Sequence, residues 1–304
     1  MTSRISPVFV TSLVFLFASI AGHAIAQDVT EPHPGEALYA ETCADCHDQP
    51  FYKAPSRTFL SALGPANILA VLNNGAMREQ ASALSSTQRI AVAEYLSEKS
   101  LADMVEPALP PSCDADHSFD SSLLPTSRGF GVDLQNTRFQ PAETGGLTAE
   151  NVHRLEVKWS FAYPNSIQAR SEPVYGGGGI YMGSQDGTVW ALDAQTGCLR
   201  WTFNATAEIR TGVSISQWSA DDSSVDPLIF FGDVIANVYA LSARTGELRW
   251  KVRVDDHRDA TMTGTPSIYA GRLYVPVSSM EVVAAGNADY ECCTFRGALL
   301  SLDA

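Results

Sequence analysis

The chain has 304 residues, 45% of them hydrophobic, enough for two globular domains and too apolar for a disordered or low-complexity protein. Its formal charge of −14 argues against nucleic acid or an anionic membrane surface as partner. An acidic surface of this kind suits a basic redox partner and equally serves solubility alone.

Residues 1–26 read as an export signal. Arg4 supplies a short positive start, the stretch from Val8 to Ala21 is almost wholly apolar, and Ala24-Ile25-Ala26 has the small-x-small cleavage pattern. The apolar run is short for a spanning helix, so cleavage after Ala26 and a periplasmic location are expected, with an uncleaved anchor as the alternative. No other segment is long and apolar enough to give a stable membrane span. Export also permits disulfides.

Residues 27–104 read as a small helical domain built on Cys43-Ala-Asp-Cys46-His47. Two thiols and a histidine at this spacing are what covalent haem c attachment needs: Cys43 and Cys46 form thioethers to the vinyl groups, and His47 ligates the iron. A first helix is expected from Glu36 to Cys46. A second starts near Pro65 and stops at Asn73-Asn74-Gly75; a third is capped by Ser85 and runs through Tyr95. A low-spin electron-transfer haem needs a sixth ligand, and Met77 in the Asn-Gly-Ala-Met loop is the candidate. Met104, beyond the last helix, competes, and His33 is a poorer choice before the first helix. The module resembles class I cytochrome c through its haem motif, its Gly-Ala-Met loop and its closing Ala-Glu-Tyr-Leu helix.

Residues 105–115 hold Pro107, Pro110 and Pro111 and read as a semi-rigid linker. From 116 to 304 the chain repeats itself. Gly183 to Trp201 aligns without gaps on Gly232 to Trp250, Ala191 falling on Ala240 49 positions later, and a third copy begins at Gly297. Each copy reads strand, Thr-Gly turn, strand, a period that predicts a β-propeller with one four-stranded blade per repeat and about three blades in this chain. The fold class is therefore multidomain, an all-α cytochrome domain followed by an all-β propeller. Trp159, Trp201 and Trp250 are expected to pack between blades. Cys113 and Cys198 either pair across the linker and first repeat or stay as free thiols.

The Ala-Leu-Asp-Ala-x-Thr-Gly-x-x-x-Trp repeat resembles the tryptophan-docking motif of the pyrroloquinoline quinone (PQQ) dehydrogenases. The order of haem domain then propeller is most similar to the polyvinyl alcohol dehydrogenase (cytochrome) type. That resemblance implies a PQQ- and haem-dependent alcohol dehydrogenase oxidising secondary or polymeric alcohols, with electrons leaving to a downstream cytochrome or other periplasmic acceptor. It implies an eight-bladed propeller too. On that count this chain is expected to be part of a longer protein, with the catalytic residues beyond Ala304. Adjacent Cys292 and Cys293 could close an eight-membered disulfide ring that stacks on the quinone. By the same resemblance Thr263 and Ser278 would hydrogen-bond PQQ, Arg296 and Arg210 would hold its carboxylates, and Glu281 would ligate Ca²⁺ or stand as a solvated loop charge. Arg170 occupies the place of a PQQ-contacting glutamate of the family, so that contact does not transfer. His117, His153 and His257 show no metal-ligand spacing. The competing reading is a haem c electron carrier fused to a non-catalytic propeller scaffold.

Overall fold

The computed structural model describes residues 32–304 apart from 50–53, 62, 76, 105–108, 128, 165, 167, 223 and 286–289. The expected export signal lies outside the described residues. Among those described, no helix is long and apolar enough to cross a membrane.

Five helices come first: α1 (Pro34–Thr42), α2 (Ala44–His47), α3 (Arg57–Ser61), α4 (Pro65–Asn74) and α5 (Ser86–Ser97). The His33 ring accepts the Gly35 N–H and Pro34 follows at the first helical position, so α1 begins where its free N–H groups are fewest. The expected continuous helix into the haem motif does not form. Cys43 leaves helical geometry at φ −122°, α1 ends at Thr42, and the motif rides on the separate single turn of α2. Helix α5 has a full capping box, Ser85 and Gln88 each accepting the other's main-chain N–H. Helices α1 and α5 cross at Gly35, where a Cβ would stand 2.1 Å from the Ala91 carbonyl oxygen; only glycine lets the backbones approach so closely. Tyr39, Ile68, Leu72, Val92, Ala93 and Leu96 form the core beneath them. Helix α3, which carries no strong start signal, was not expected from the sequence.

Three sheets follow. The first takes β1 (Val174–Gly176), β2 (Gly179–Gly183), β3 (Thr188–Asp193) and β4 (Leu199–Asn204); the second takes β5 (Ser214–Ile215), β6 (Leu228–Gly232), β7 (Asn237–Ser242) and β8 (Leu248–Arg253). Both are antiparallel meanders, with Ala191 opposite Trp201 in one and Ala240 opposite Trp250 in the other, and each has an irregularity at the next residue. The third sheet contains β9 (Ala260–Thr261), β10 (Ser267–Tyr269), β11 (Arg272–Ser279) and β12 (Ala298–Asp303). Here β9 and β10 pair with opposite ends of β11, so one edge strand is split in two. Pro266 lies in the break, where a residue with no N–H cannot extend the ladder. Single helical turns α6 (Ala142–Gly145) and α7 (Glu281–Ala284) lie outside the sheets.

The repeat motif has a physical content at each position. Asp193 accepts the main-chain N–H groups of Gln195 and Thr196 and pairs with buried Arg200 at 2.8 Å, closing the turn. Gly197 and Gly246 both sit in the left-handed region, at φ +73° and +74°. Each is covered by an indole from the preceding unit, Trp159 on Gly197 and Trp201 on Gly246. The same indoles donate Nε1–H to the carbonyls of Ala194 and Ala243, both at 3.2 Å. The tryptophans thus fasten one repeat to the next. Cys113 and Cys198 are joined as a disulfide, and the linker end is further held by Leu199 N–H donating to Pro111 O.

Candidate functional site

One cavity of about 240 Å³ opens inside the helical module. Cys43, Cys46 and His47 line one side, and Met77 lines it as well, with Leu60, Leu63, Ile68, Leu72, Val92 and Leu96 supplying an apolar wall. Met104 is not among the lining residues, and His33 is occupied in capping α1 and stacking on Tyr95. His47 is buried, and its Nδ1 lies 2.7 Å from the Pro55 carbonyl oxygen. A carbonyl only accepts, so Nδ1 carries the hydrogen and Nε2 keeps the lone pair that an iron would use. Cys43 and Cys46 are not in disulfides, and burial raises the Cys43 thiol above its ordinary range. Tyr39 donates to Asp48 at 2.6 Å beside the motif; burial first, then that bond, hold its phenol protonated well above the usual tyrosine range. The donor set, the free imidazole nitrogen and the apolar wall fit a covalently held haem.

The cytochrome-like module is fastened to the sheets. Ala207 and Val234, from the blade loops, belong to the same core cluster as Leu72 and Val92. Ser56 donates to Asp259 at 2.9 Å, and Arg258 donates to the carbonyls of Gln49 and His47. Neither Arg258 nor Asp259 was singled out from the sequence. Their partners lie some two hundred positions earlier, so no local pattern marks them.

The residues proposed for the quinone fall in three places. Thr263 and Ser278 are both exposed, and Ser278 pairs in register with Thr261, two residues from Thr263. Arg210 is bridged to buried Glu208 at 2.9 Å, while Arg170 holds the other oxygen of Glu208 at 2.6 Å. Glu208, absent from the sequence reading, is therefore the acid that sets both guanidinium groups. The buried Arg210 Nε has no hydrogen-bond partner among the described residues. Cys292 and Cys293 form an exposed disulfide. Arg296 turns back on this loop, Nη1 donating to the carbonyls of Cys293 and Phe295 at 3.1 and 3.0 Å. The guanidinium of Arg210, the exposed Thr263 and Ser278, and the exposed disulfide stand in three separate places and line no common cavity among the described residues.

Glu281 is buried, and both its oxygens are engaged by its own loop. Oε1 accepts from Tyr290 OH, Thr294 N–H and Thr294 OH; Oε2 accepts from Phe295 N–H and Ser279 OH. Burial would raise this carboxyl, but the Thr294 N–H, the Tyr290 hydroxyl and the Phe295 N–H outweigh it and bring it down to about 2. Among the described residues no group of three or more His, Cys, Asp or Glu side chains could hold a metal ion. In this arrangement Glu281 fits an anchor for the disulfide loop. His117 pairs with Asp114 at 2.6 Å, and His257 bonds Thr294 at 2.8 Å.

Comparison with known proteins matches both halves. Residues 128–252 match the PQQ family described as the glucose/ethanol/alcohol dehydrogenase β-propeller domain, and residues 30–96 match that described as cytochrome c oxidase, cbb3-type, subunit III. The polyvinylalcohol dehydrogenase of a Pseudomonas species is 36% identical over 298 residues, 93% of this chain and 46% of that protein. That of Sphingopyxis sp. strain 113P3 is 32% identical over 299 residues, 93% of this chain and 44% of that protein. A quinoprotein ethanol dehydrogenase of Pseudomonas aeruginosa is 31% identical over 144 residues, 46% of this chain and 22% of that protein. The chain spans about half the length of the two polyvinylalcohol dehydrogenases it matches.

Proposed function

We propose that this homologue of the polyvinylalcohol dehydrogenases carries the haem c and part of the quinone-binding surface of a periplasmic, PQQ-dependent alcohol dehydrogenase. The substrate class is a secondary or polymeric alcohol such as polyvinyl alcohol, and the electrons pass through haem to a cytochrome or other periplasmic acceptor. One observation carries the reading: Cys43, Cys46, His47 and Met77 surround a single apolar cavity in a module fastened to PQQ-type blades.

In that function Cys43 and Cys46 would tether the porphyrin, and His47 Nε2 and the Met77 thioether would be the groups offered to its iron, which would supply one-electron chemistry. Pro55 O fixes the His47 ring, so the imidazole would already be oriented to hold the haem. A bound quinone would supply the two-electron oxidant for the alcohol. Arg210, Thr263, Ser278 and Arg296 are the groups that would hold its carboxylates and polar edge, and the Cys292–Cys293 disulfide the surface against which its ring lies. Glu208 keeps Arg210 and Arg170 in place and sets the charge balance around them. Glu281 holds the disulfide loop.

The test is to mature the haem-loaded protein, add PQQ with Ca²⁺, and follow haem reduction on addition of primary, secondary and polymeric alcohols. Alcohol-dependent reduction that requires PQQ is expected. Haem that stays oxidised with every alcohol tried would overturn the assignment.

A further inference from the structure

The loop between β8 and β9 carries three consecutive residues that touch both ends of the molecule's redox chemistry. Arg258 is 16% exposed at its side chain, and its guanidinium reaches the main chain of the haem-binding motif: Nη2 donates to the carbonyl of His47 at 3.1 Å and Nη1 to that of Gln49. Asp259 is 4% exposed; its Oδ1 accepts the Ser56 hydroxyl, whose residue begins α3, and its Oδ2 stands 4.0 Å from Arg258 Nε. His257 closes the loop by accepting the Asp259 N–H on Nδ1, and its Nε2 bonds Thr294 beside the cysteine pair. The Asp259 carbonyl in turn accepts the Met280 N–H, next to Ser278 and Glu281. A charged pair, mostly out of water, thus sits on the backbone of the residue that would ligate iron.

We propose that Arg258 and Asp259 are a positioning pair that fixes the haem-bearing loop to the third blade and sets the haem's reduction potential with opposite signs. Ferric haem carries one more positive charge than ferrous haem. A guanidinium on the His47 carbonyl therefore disfavours the ferric state and raises the potential, whereas the carboxylate beside it favours the ferric state and lowers it. Their proximity keeps the net effect moderate and lets each be altered alone. Both also hold the interface, because hydrogen bonds to charged groups in a site shielded from water are the strong ones. This inference rests on the haem part of the function proposed above and not on the quinone.

Redox titration of the haem-loaded protein, read from the haem absorbance without quinone or alcohol, tests it in four variants. Arg258→Ala is expected to lower the midpoint potential and Asp259→Asn to raise it. Arg258→Lys, which keeps the charge, is expected to stay near the parent value, and Arg272→Ala, which breaks the distant Arg272–Asp303 pair, to change nothing. Both Arg258→Ala and Asp259→Asn should speed amide exchange of residues 46–49 on the order of tenfold, since each removes charge-assisted bonds across the interface. Mere loosening of the haem loop would move both potentials in the same direction. Shifts of one sign, or no shift, would therefore overturn the proposal. Should Arg258→Ala fail to take up haem, Asp259→Asn decides alone: a rise supports the pair, and a fall or no change refutes it. Opposite shifts in a protein that never oxidises alcohol would refute the dehydrogenase reading and leave this one standing.

Discussion

Gly246 and Gly271 provide a controlled experiment on what joins one repeat to the next. Both have φ +74°, so alanine at either position must adopt a left-handed backbone at a cost of about 1–2 kcal/mol. Both changes also reduce the freedom of the unfolded chain equally, and that contribution cancels in the comparison. The surroundings differ. At Gly271 nothing lies within 4 Å of the added Cβ, whereas at Gly246 it would meet the Trp201 ring at 2.6–3.1 Å. The indole must back away, with overpacking worth about 1–3 kcal/mol and about 1 kcal/mol more where the Trp201–Ala243 hydrogen bond is strained. Gly246→Ala is therefore expected to destabilise by about 1–4 kcal/mol more than Gly271→Ala. Urea unfolding followed by tryptophan fluorescence measures the difference through the midpoint, provided the denaturant slope is unchanged. In a Trp201→Ala background the excess should vanish, which ties it to that ring. Equal destabilisation by the two alanines would show that the indole does not fasten the repeats.

Three further outcomes follow from the geometry. Met77→Ala should abolish the sulfur-to-iron charge-transfer band of the ferric haem and lower its potential, while Met104→Ala leaves both, as the cavity lining requires. Cys113→Ser removes a cross-link closing 85 residues and should cost about 4–5 kcal/mol on chain entropy; a calorimetric loss below about 1 kcal/mol would refute that constraint on the unfolded chain. Glu281 is held down to about 2 in the folded protein, so its stabilisation is present above the ordinary carboxylate range and is lost as pH falls toward 2. Amide exchange at Thr294 and Phe295 should accelerate across that window and be fast at all pH in Glu281→Gln; equal protection in that variant would exclude the anchoring role.

What was legible in the sequence is what chemistry confines to a few neighbouring residues. Covalent haem attachment demands two thiols and a histidine within five positions, and the fold brings all three to one cavity. The Ser85–Gln88 cap is complete within four residues, and it forms as read. The propeller was legible for a different reason: Gly197 and Gly246 must each take a left-handed backbone under an indole, so the same constraint recurs in the same register. The break in the first helix was not legible, because helical propensity continues through Cys43 and only the geometry of the haem turn interrupts it.

The polar groups of the second site were missed, or given only by resemblance, because their meaning depends on partners that no spacing rule supplies. Ser278-Ser279-Met280-Glu281 announces a carboxylate near a tight turn, and by resemblance a cation. Its actual partners are Tyr290, Thr294 and Phe295, donors from the loop carrying the cysteine pair. A carboxylate saturated by five such donors gains more from them than from water, which is why it can be buried without a metal. Glu208 makes the same point with charge: placed between Arg170 and Arg210, it turns two residues that look like independent anion binders into one triad with a net single positive charge. An anion arriving at Arg210 then meets a guanidinium already shared with Glu208. Glu208→Gln should therefore tighten inorganic anion binding at this site, and weaker binding would show that Glu208 acts by holding Arg210 in position more than by lowering its charge.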